Sequence, residues 1–507
     1  MPRILTSVDL LAMGWHTPGK RSEIKLRKLV SDSRLVRKGY GFLALDGLHN
    51  KGKDFIFEAL RKGASAVFVA AKYEAEIVTH PDYESSQPIF FSSDFFKALG
   101  RLVSWFYGDP TRSQMVIGVT GTNGKTTIAM AFYDTLKRMG HRAAYIGTLG
   151  IYLNESKMEN PLTTPDLISL HSYLSLAERK KIRYVAIEAS SIGLHQGRLS
   201  GVLWNLAVFT NLSQDHLDYH QTMENYFEAK KILFQEILEQ SRHYPKAVFG
   251  VIVHTDTQWG IKLLSYLRAE NASFPIITLG PNGDAQLVSI EPSWSGYCAI
   301  LWFGQKSYQL KTKFLGRYNL MNLATVFLGL RLLGFEAEPI LSAISQLSPP
   351  PGRLEVIAAS ENRHVVIDYA HTPAALENLL KCIDELNPVR IIVIFGCGGE
   401  RDKEKRPQMG KVASQFADFI ILTNDNPRSE DPQQIINDIK KGITTSQYVV
   451  MPDREKAIRI GLQILKAQEV LVVAGKGHEN YQLIQGKRIP FSDREVVLRL
   501  LHELGMR

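Results

Sequence analysis

The chain has 507 residues, 45% of them apolar and 22% charged, with a formal net charge of +9 and three cysteines. That length exceeds what one hydrophobic core serves, and the balanced composition excludes low-complexity, collagenous and disulfide-stapled classes. Lys and Arg are scattered among Asp and Glu rather than gathered in a stripe. The charge therefore suits polyanionic small substrates and carries no nucleic-acid signature.

The opening segment, MPRILTSVDLLAMGWHTPGK, lacks the apolar core of a signal peptide. No apolar run approaches the roughly 20 residues that span a bilayer, so membrane insertion is not expected. Cys298, Cys382 and Cys397 lie far apart without CxxC spacing, which predicts a reducing, cytoplasmic setting.

Residues 1–109 hold short apolar runs, GYGFLAL (39–45) and GASAVFVA (63–70), with a helix near 54–62, and read as a small α/β domain. Residues 110–346 alternate apolar strands (QMVIGVT, RAAYIGT, RYVAIEAS, LWNLAVFTN, AVFGVIVHT, PIITLG) with helical stretches. This predicts a mostly parallel sheet covered on both faces. Around YCAILWFGQKSYQLKT (297–312) the period moves towards two, an antiparallel addition. After the proline-marked SPPPGRLE, residues 347–507 resume the alternation with HVVIDYA, RIIVIFG, FIILTND, YVVMPD and EVLVVAG, a second doubly wound sheet. The last helix opens with Ser492 and Glu495 at capping-box spacing.

The stretch VIGVTGTNGKTT (116–127) delivers a buried strand to a helix start, where free N–H groups and the helix dipole favour phosphate. Gly121 and Gly124 allow the backbone to curl, Lys125 meets the phosphate charge and Thr126 offers a hydroxyl to Mg²⁺. The spacing differs from the common loop, since Val119 stands where its first glycine would be. Glu188 ends the strand RYVAIE, where such sheets place function; a helix-capping acid is the alternative.

GTNGKTT resembles the ATP loop of the Mur ligases and of folylpolyglutamate synthetases, which activate a carboxylate as an acyl phosphate. The resemblance to the Mur ligases continues in order through TTPD (163–166), EASSIGLHQGRL (188–199), FTNLSQDHLDYH (209–220), YFEAKKILF (226–234), GRYNLMNLATV (316–326), PPPGRLE, VVIDYAHTP (365–373), FGCGGERDKEKRPQMG (395–410), DNPRSEDP (425–432) and AGKGHENYQ (474–482). Folylpolyglutamate synthetases lack the GCGGERD and DNPR elements. Two positions depart from the Mur pattern: Gln214 replaces the usual arginine, and Ile192 a frequent histidine.

The resemblance implies an N-terminal UDP-substrate domain, a central ATPase domain and a Rossmann-like C-terminal domain. It implies ligation of meso-diaminopimelate to UDP-N-acetylmuramoyl-L-alanyl-D-glutamate by a monomer using ATP and about two Mg²⁺ ions. ATP would meet Thr120, Gly121, Thr122, Asn123, Gly124, Lys125, Thr126, Thr127, Asn322, Arg353 and Asp368. Thr126, Glu188, His216 and Lys230 would serve the metal, with Lys230 carrying a carbamate that turns a repelling cation into an oxygen ligand. Without the family, Lys230 would read as a solvated helix lysine and His216 as a structural histidine. Lys125, Lys230, Glu188, His216 and Arg353 form the implied catalytic set. The UDP-dipeptide would contact Ser31, Ser33, His49, Thr163, Thr164, Ser190, Gln196 and Arg198. Diaminopimelate would contact Arg401, Asp425, Asn426, Pro427, Arg428, Gly475 and Glu479. In DNPR, a guanidinium at 428 suits the second carboxylate that distinguishes diaminopimelate from lysine; capping of the following helix is its alternative.

Overall fold

Runs of Val, Ile, Leu and Ala that are apolar at every position, not at alternate ones, build two large sheets buried on both faces. The computed structural model describes residues 2–19, 23–47, 50–244, 247–349, 352–359 and 362–506. His49, expected near uridine, lies outside the described residues.

The central sheet has eleven strands. Its parallel heart, in spatial order, is Ala143–Gly147, Tyr184–Glu188, Met115–Thr120, Leu206–Phe209, Gly250–His254 and Ile276–Leu279. Met115–Thr120, the first strand of this sheet in chain order, thus sits between strands reached later in opposite directions. Loops diverge at its carboxyl end, the place where open α/β sheets bind ligands. One edge is extended by the hairpin Gly150–Leu153 and Ser156–Met158. The other is extended by the antiparallel meander Ala285–Ser293, Gly296–Phe303 and Lys306–Thr312, as the change of period predicts.

A second, six-stranded sheet runs Glu355–Ala359, Arg363–Asp368, Val470–Ala474, Ile391–Phe395, Phe419–Leu422 and Tyr448–Val450, parallel except at its first strand. A small parallel sheet of Lys28–Val30, Tyr40–Leu43, Ala66–Ala70 and Ile89–Ser92 lies N-terminal to both. The helix Asp493–Glu503 is capped by the Ser492 hydroxyl, which accepts from Glu495 N.

Three short antiparallel pieces have no counterpart in the expected strands: the pairing of Arg3–Thr6 with Glu23–Leu26, the hairpin at 150–158, and the hairpin Tyr481–Ile484 with Lys487–Pro490. The last pair explains why: Lys487–Pro490 is exposed throughout and carries no apolar period.

One apolar cluster passes without a break from Phe132 and Phe327 of the central unit, through Leu310 and Phe314, to Leu376, Leu379 and Phe395 of the C-terminal one. Trp294 stacks on His364 at 3.9 Å and 7°, and Tyr297 donates its hydroxyl to Glu385 at 3.2 Å. The meander therefore packs the two sheets against each other and holds both carboxyl edges around one cleft.

Candidate active site

The strand Met115–Thr120 ends in a loop whose Gly121 and Gly124 have φ of +147° and +89°, and the helix Lys125–Arg138 follows directly. Asn123 N donates to Asn211 Oδ1 at 2.9 Å, and Thr210 Oγ1 donates to Asn123 O at 2.6 Å, so the loop is strapped to the neighbouring strand end. Lys125 Nζ lies over the loop and donates to Gly121 O and Thr122 O at 2.9 and 2.8 Å. Thr120 and Thr127 are buried beneath it. A Cβ on Gly121 would lie 1.9 Å from Thr210 Oγ1. Gly121→Ala is therefore expected to distort the loop at a cost of about 1–3 kcal/mol. That weakens ATP binding by roughly one to two decades in a calorimetric titration, and an unchanged Kd would refute the loop's role.

Glu188 is wholly buried at the end of its strand. Its carboxylate accepts from Thr126 Oγ1 at 2.8 Å, Thr148 N at 3.0 Å, Thr148 Oγ1 at 3.2 Å, and the Tyr145 hydroxyl. It caps no helix: Ser190 caps the following one through its hydroxyl. The capping alternative is thereby removed, and Glu188 and Thr126 form one oxygen-donor pair.

Lys230 is likewise no solvated helix lysine. Its side chain is buried, and Nζ donates to Gly121 O at 2.8 Å, the same carbonyl that Lys125 holds, with the Tyr226 ring 4.4 Å away. Burial, then the nearby Lys125, pushes its pKa well below the ordinary lysine value, favouring the neutral amine that adds CO₂. Lys231 instead pairs with Glu228. His216 stands in left-handed conformation at φ +54°, 6.1 Å from the Tyr226 ring. Burial lowers its pKa despite Asp215. Among the described residues no group of three His, Cys, Asp or Glu side chains is placed to hold a metal ion. The oxygen donors Thr126 and Glu188 would fit a hard divalent cation together with Lys230 if that lysine carried a carbamate, whereas an unmodified ammonium would not.

The C-terminal unit contributes the facing wall. Asp368 accepts from Leu354 N and Ala370 N at 2.7 and 2.8 Å, which fixes the linker bearing Arg353. The Arg353 guanidinium covers the Tyr369 ring at 4.8 Å, and its Nε is buried without a hydrogen-bond partner among the described residues. Asn322 sits against the loop, since a Cβ on Gly124 would meet its Oδ1 at 2.7 Å.

Between the walls lies a cleft of about 1670 Å³. Thr163 and His216 line it from the central unit, and Arg401, Asp425, Asn426, Arg428, Gly475 and Glu479 from the C-terminal one. Pro427 is buried behind it. Arg428 caps nothing, because the next helix starts at Pro432 under Asp431. It has φ +54°, its N donates to Leu483 O at 2.9 Å, and Nη1 donates to Gly399 O. The remaining guanidinium N–H groups have no partner among the described residues.

Other expected contacts act as framing. Thr164 is buried, donating to Glu188 O at 2.8 Å and paired with Ser190 Oγ at 2.8 Å. Arg198 donates to Thr164 O and to Gln196 Oε1 at 3.0 and 2.6 Å. Ser31 is exposed just past the strand Lys28–Val30, and Ser33 opens the short 3-10 helix Ser33–Leu35 and donates to Glu58 at 3.1 Å; both lie outside the cleft lining. The sequence did not single out Tyr145, Thr148 and Lys476. All three act by holding an acid, a role that leaves no motif of its own.

The chain matches the Mur ligase middle domain over residues 119–329 and the Mur ligase glutamate ligase domain over 352–477. It is 36% identical to the UDP-N-acetylmuramoyl-L-alanyl-D-glutamate–2,6-diaminopimelate ligase of Geobacillus kaustophilus, covering 99% of this chain and 100% of that one. It is 38% identical to the enzyme of the same name from Rickettsia typhi, over 95% and 94%. A solved structure of a 2,6-diaminopimelate ligase of that name superposes with a TM-score of 0.69 at 32% identity, over 95% of this chain and 96% of that one.

Proposed function

Because this chain belongs to the Mur ligase family, we infer that it is the ATP-dependent, ADP-forming ligase that adds meso-diaminopimelate to UDP-N-acetylmuramoyl-L-alanyl-D-glutamate in peptidoglycan precursor synthesis. A single observation carries the reading: the cleft that bears Arg428 and Glu479 on one wall is lined on the other by Thr148, which holds the buried acid Glu188, and Glu188 in turn takes the hydroxyl of Thr126 from the phosphate loop.

The substrate carboxylate oxygen attacks the γ-phosphorus, the bond to ADP breaks, and an acyl phosphate forms. The amine nitrogen then attacks the acyl carbon, the bond to phosphate breaks, and nitrogen gives up its proton. Lys125 and Arg353 counter the charge that gathers as carboxylate meets phosphate. Asn322 and Asp368 place the nucleotide between the two units. Thr126, Glu188, His216 and a carbamate on Lys230 would hold Mg²⁺, which when bound supplies further charge neutralisation at the phosphates. The carbamate forms when the neutral Lys230 amine adds to CO₂ and releases a proton. Thr163, Thr164, Ser190, Gln196 and Arg198 take the UDP-dipeptide, with Ser31, Ser33 and His49 at its uridine end. Residues 1–109, 110–346 and 347–507 correspond to substrate, ATP and amino-acid domains. Both walls of the cleft come from one chain, which supports a monomer. Free thiols at all three cysteines and the nucleotide-linked substrates support the cytoplasm as the place of work.

Phosphate release should require ATP, the UDP-dipeptide and meso-diaminopimelate together. L-lysine lacks the distal carboxylate that Arg428 can grip, a contact worth about 1.5–3 kcal/mol. Wild-type kcat/KM is therefore expected to favour meso-diaminopimelate by roughly one to two decades, a gap that Arg428→Ala closes. A wild-type preference for lysine, or an unaltered preference in the variant, would overturn the assignment of the amino acid.

A further inference from the structure

Beneath the amino-acid pocket, outside its lining, lies a cation the reaction does not use. Lys476 is wholly buried, and Nζ donates to Glu479 Oε2 at 3.0 Å and to Asn426 Oδ1 at 3.2 Å, with the Tyr481 ring at 5.7 Å. Asn426 Nδ2 also donates to Glu479 Oε2, at 2.8 Å, and Asn426 Oδ1 accepts from Leu483 N at 2.9 Å. Two segments fifty positions apart in sequence, at 426 and at 476–483, are thus tied through one ammonium and one amide.

Two consequences follow from this geometry. Glu479 Oε2 is saturated by two donors, so Oε1 alone is left to accept from a ligand, and its direction is fixed by the other oxygen. The negative charge of Glu479 is also already matched by a cation that cannot move to solvent. A ligand bringing only an ammonium to this place gains little from Glu479 and shares the cleft with the Arg428 guanidinium. A ligand bringing ammonium and carboxylate together satisfies both. The backbone below is equally fixed: Arg454, buried and donating to Asp493 at 2.7 and 2.8 Å, also donates to Ala474 O at 2.9 Å and Asn424 O at 3.4 Å, the carbonyls preceding the two pocket loops.

We propose that Lys476 is a positioning residue that sets the pocket's preference for a zwitterionic distal centre over a bare cationic one. The inference rests on the ligase reading given above. Removing the charge frees Glu479 both to reorient and to attract a lone ammonium.

The test compares wild type, Lys476→Met, Lys476→Gln and Lys476→Arg, reading kcat and KM separately for ATP, UDP-dipeptide, meso-diaminopimelate and L-lysine, with thermal midpoints for each protein. In Lys476→Met the KM for meso-diaminopimelate should rise about tenfold, as expected for loss of a charge-assisted contact, and the KM for ATP and for UDP-dipeptide should stay within about twofold. The ratio of kcat/KM for meso-diaminopimelate over L-lysine should fall by about fivefold or more, and Lys476→Arg should restore it. Lys476→Gln, which keeps hydrogen bonding without charge, is read by the same criteria if the Met variant does not fold. An unchanged amino-acid KM, an equal rise in all three KM values, or a uniform loss of kcat would overturn the proposal. So would failure of both uncharged variants to fold. Wild type that turns over no meso-diaminopimelate would instead overturn the ligase reading itself.

Discussion

Lys125→Ala is expected to lower turnover by about 10²–10³-fold while leaving the fold intact, the usual cost of removing one donor aimed at developing charge. The reason is where the lysine stands. It is the first residue of a helix whose N-terminus meets the loop, and its Nζ already lies over the loop carbonyls of Gly121 and Thr122. When phosphate enters, the ammonium exchanges those neutral acceptors for an anion without leaving its position. Burial, opposed in part by Glu188 and Asp215, lowers its pKa, so the folded protein holds this charge at a cost that a bound phosphate offsets. Alanine keeps the helix propensity at that position, so structure should survive. The measurement is ADP formation with all three substrates present, beside circular dichroism and a thermal midpoint. Comparable turnover in a well-folded variant would remove the loop from the reaction.

How much of this was readable beforehand depends on the kind of residue. The phosphate loop was legible because strand, glycines, lysine and helix are contiguous, so that local pattern and chemistry coincide. The parallel strands were legible because burial on both faces demands uninterrupted apolar runs, as in Ile391–Phe395. Glu188 could be placed at a strand end, but not its cage: Tyr145 and Thr148 reach it from the adjacent strand, a register that no single segment states. The same holds for Lys476, which reads as one more polar residue in GKGHE and is defined only by partners fifty and three positions away. Arg428 shows the mixed case. Its chemistry was legible from DNPR, whereas its left-handed backbone accompanies a bridge to Ile484 in the hairpin at 481–490, whose second strand is exposed and unpatterned and gave no signal. The shared core was hidden for a related reason. Apolar periodicity shows which face of an element is buried, but not which neighbour buries it, and here the meander at 285–312 joins two units divided by a proline-rich boundary.

Lys230 carries the largest expected effect. Lys230→Ala should lose at least about 10³-fold in turnover, because a metal-facing ligand and the charge it brings to the phosphates disappear together. Lys230→Arg should be as inactive as alanine. A surface or purely electrostatic lysine would tolerate arginine, but guanidinium stays charged and cannot add to CO₂ to become an anion. The geometry makes the distinction sharp. Lys125 and Lys230 donate to the same carbonyl of Gly121, and two full ammonium charges sharing one acceptor in a buried place repel each other; burial first, and that repulsion second, depress the pKa of Lys230. Converting Lys230 to a carbamate replaces that repulsion with attraction and leaves Lys125 as the remaining cation. The measurement has two arms. Turnover of Lys230→Ala is followed with added formate or acetate, whose carboxylate can occupy the position the carbamate would have held, and partial recovery that saturates with the small acid is expected. Intact-mass analysis of wild type held in bicarbonate should show one added CO₂, absent from both variants. Near-normal turnover of Lys230→Arg would sink the assignment, because no carbamate can then be serving the reaction.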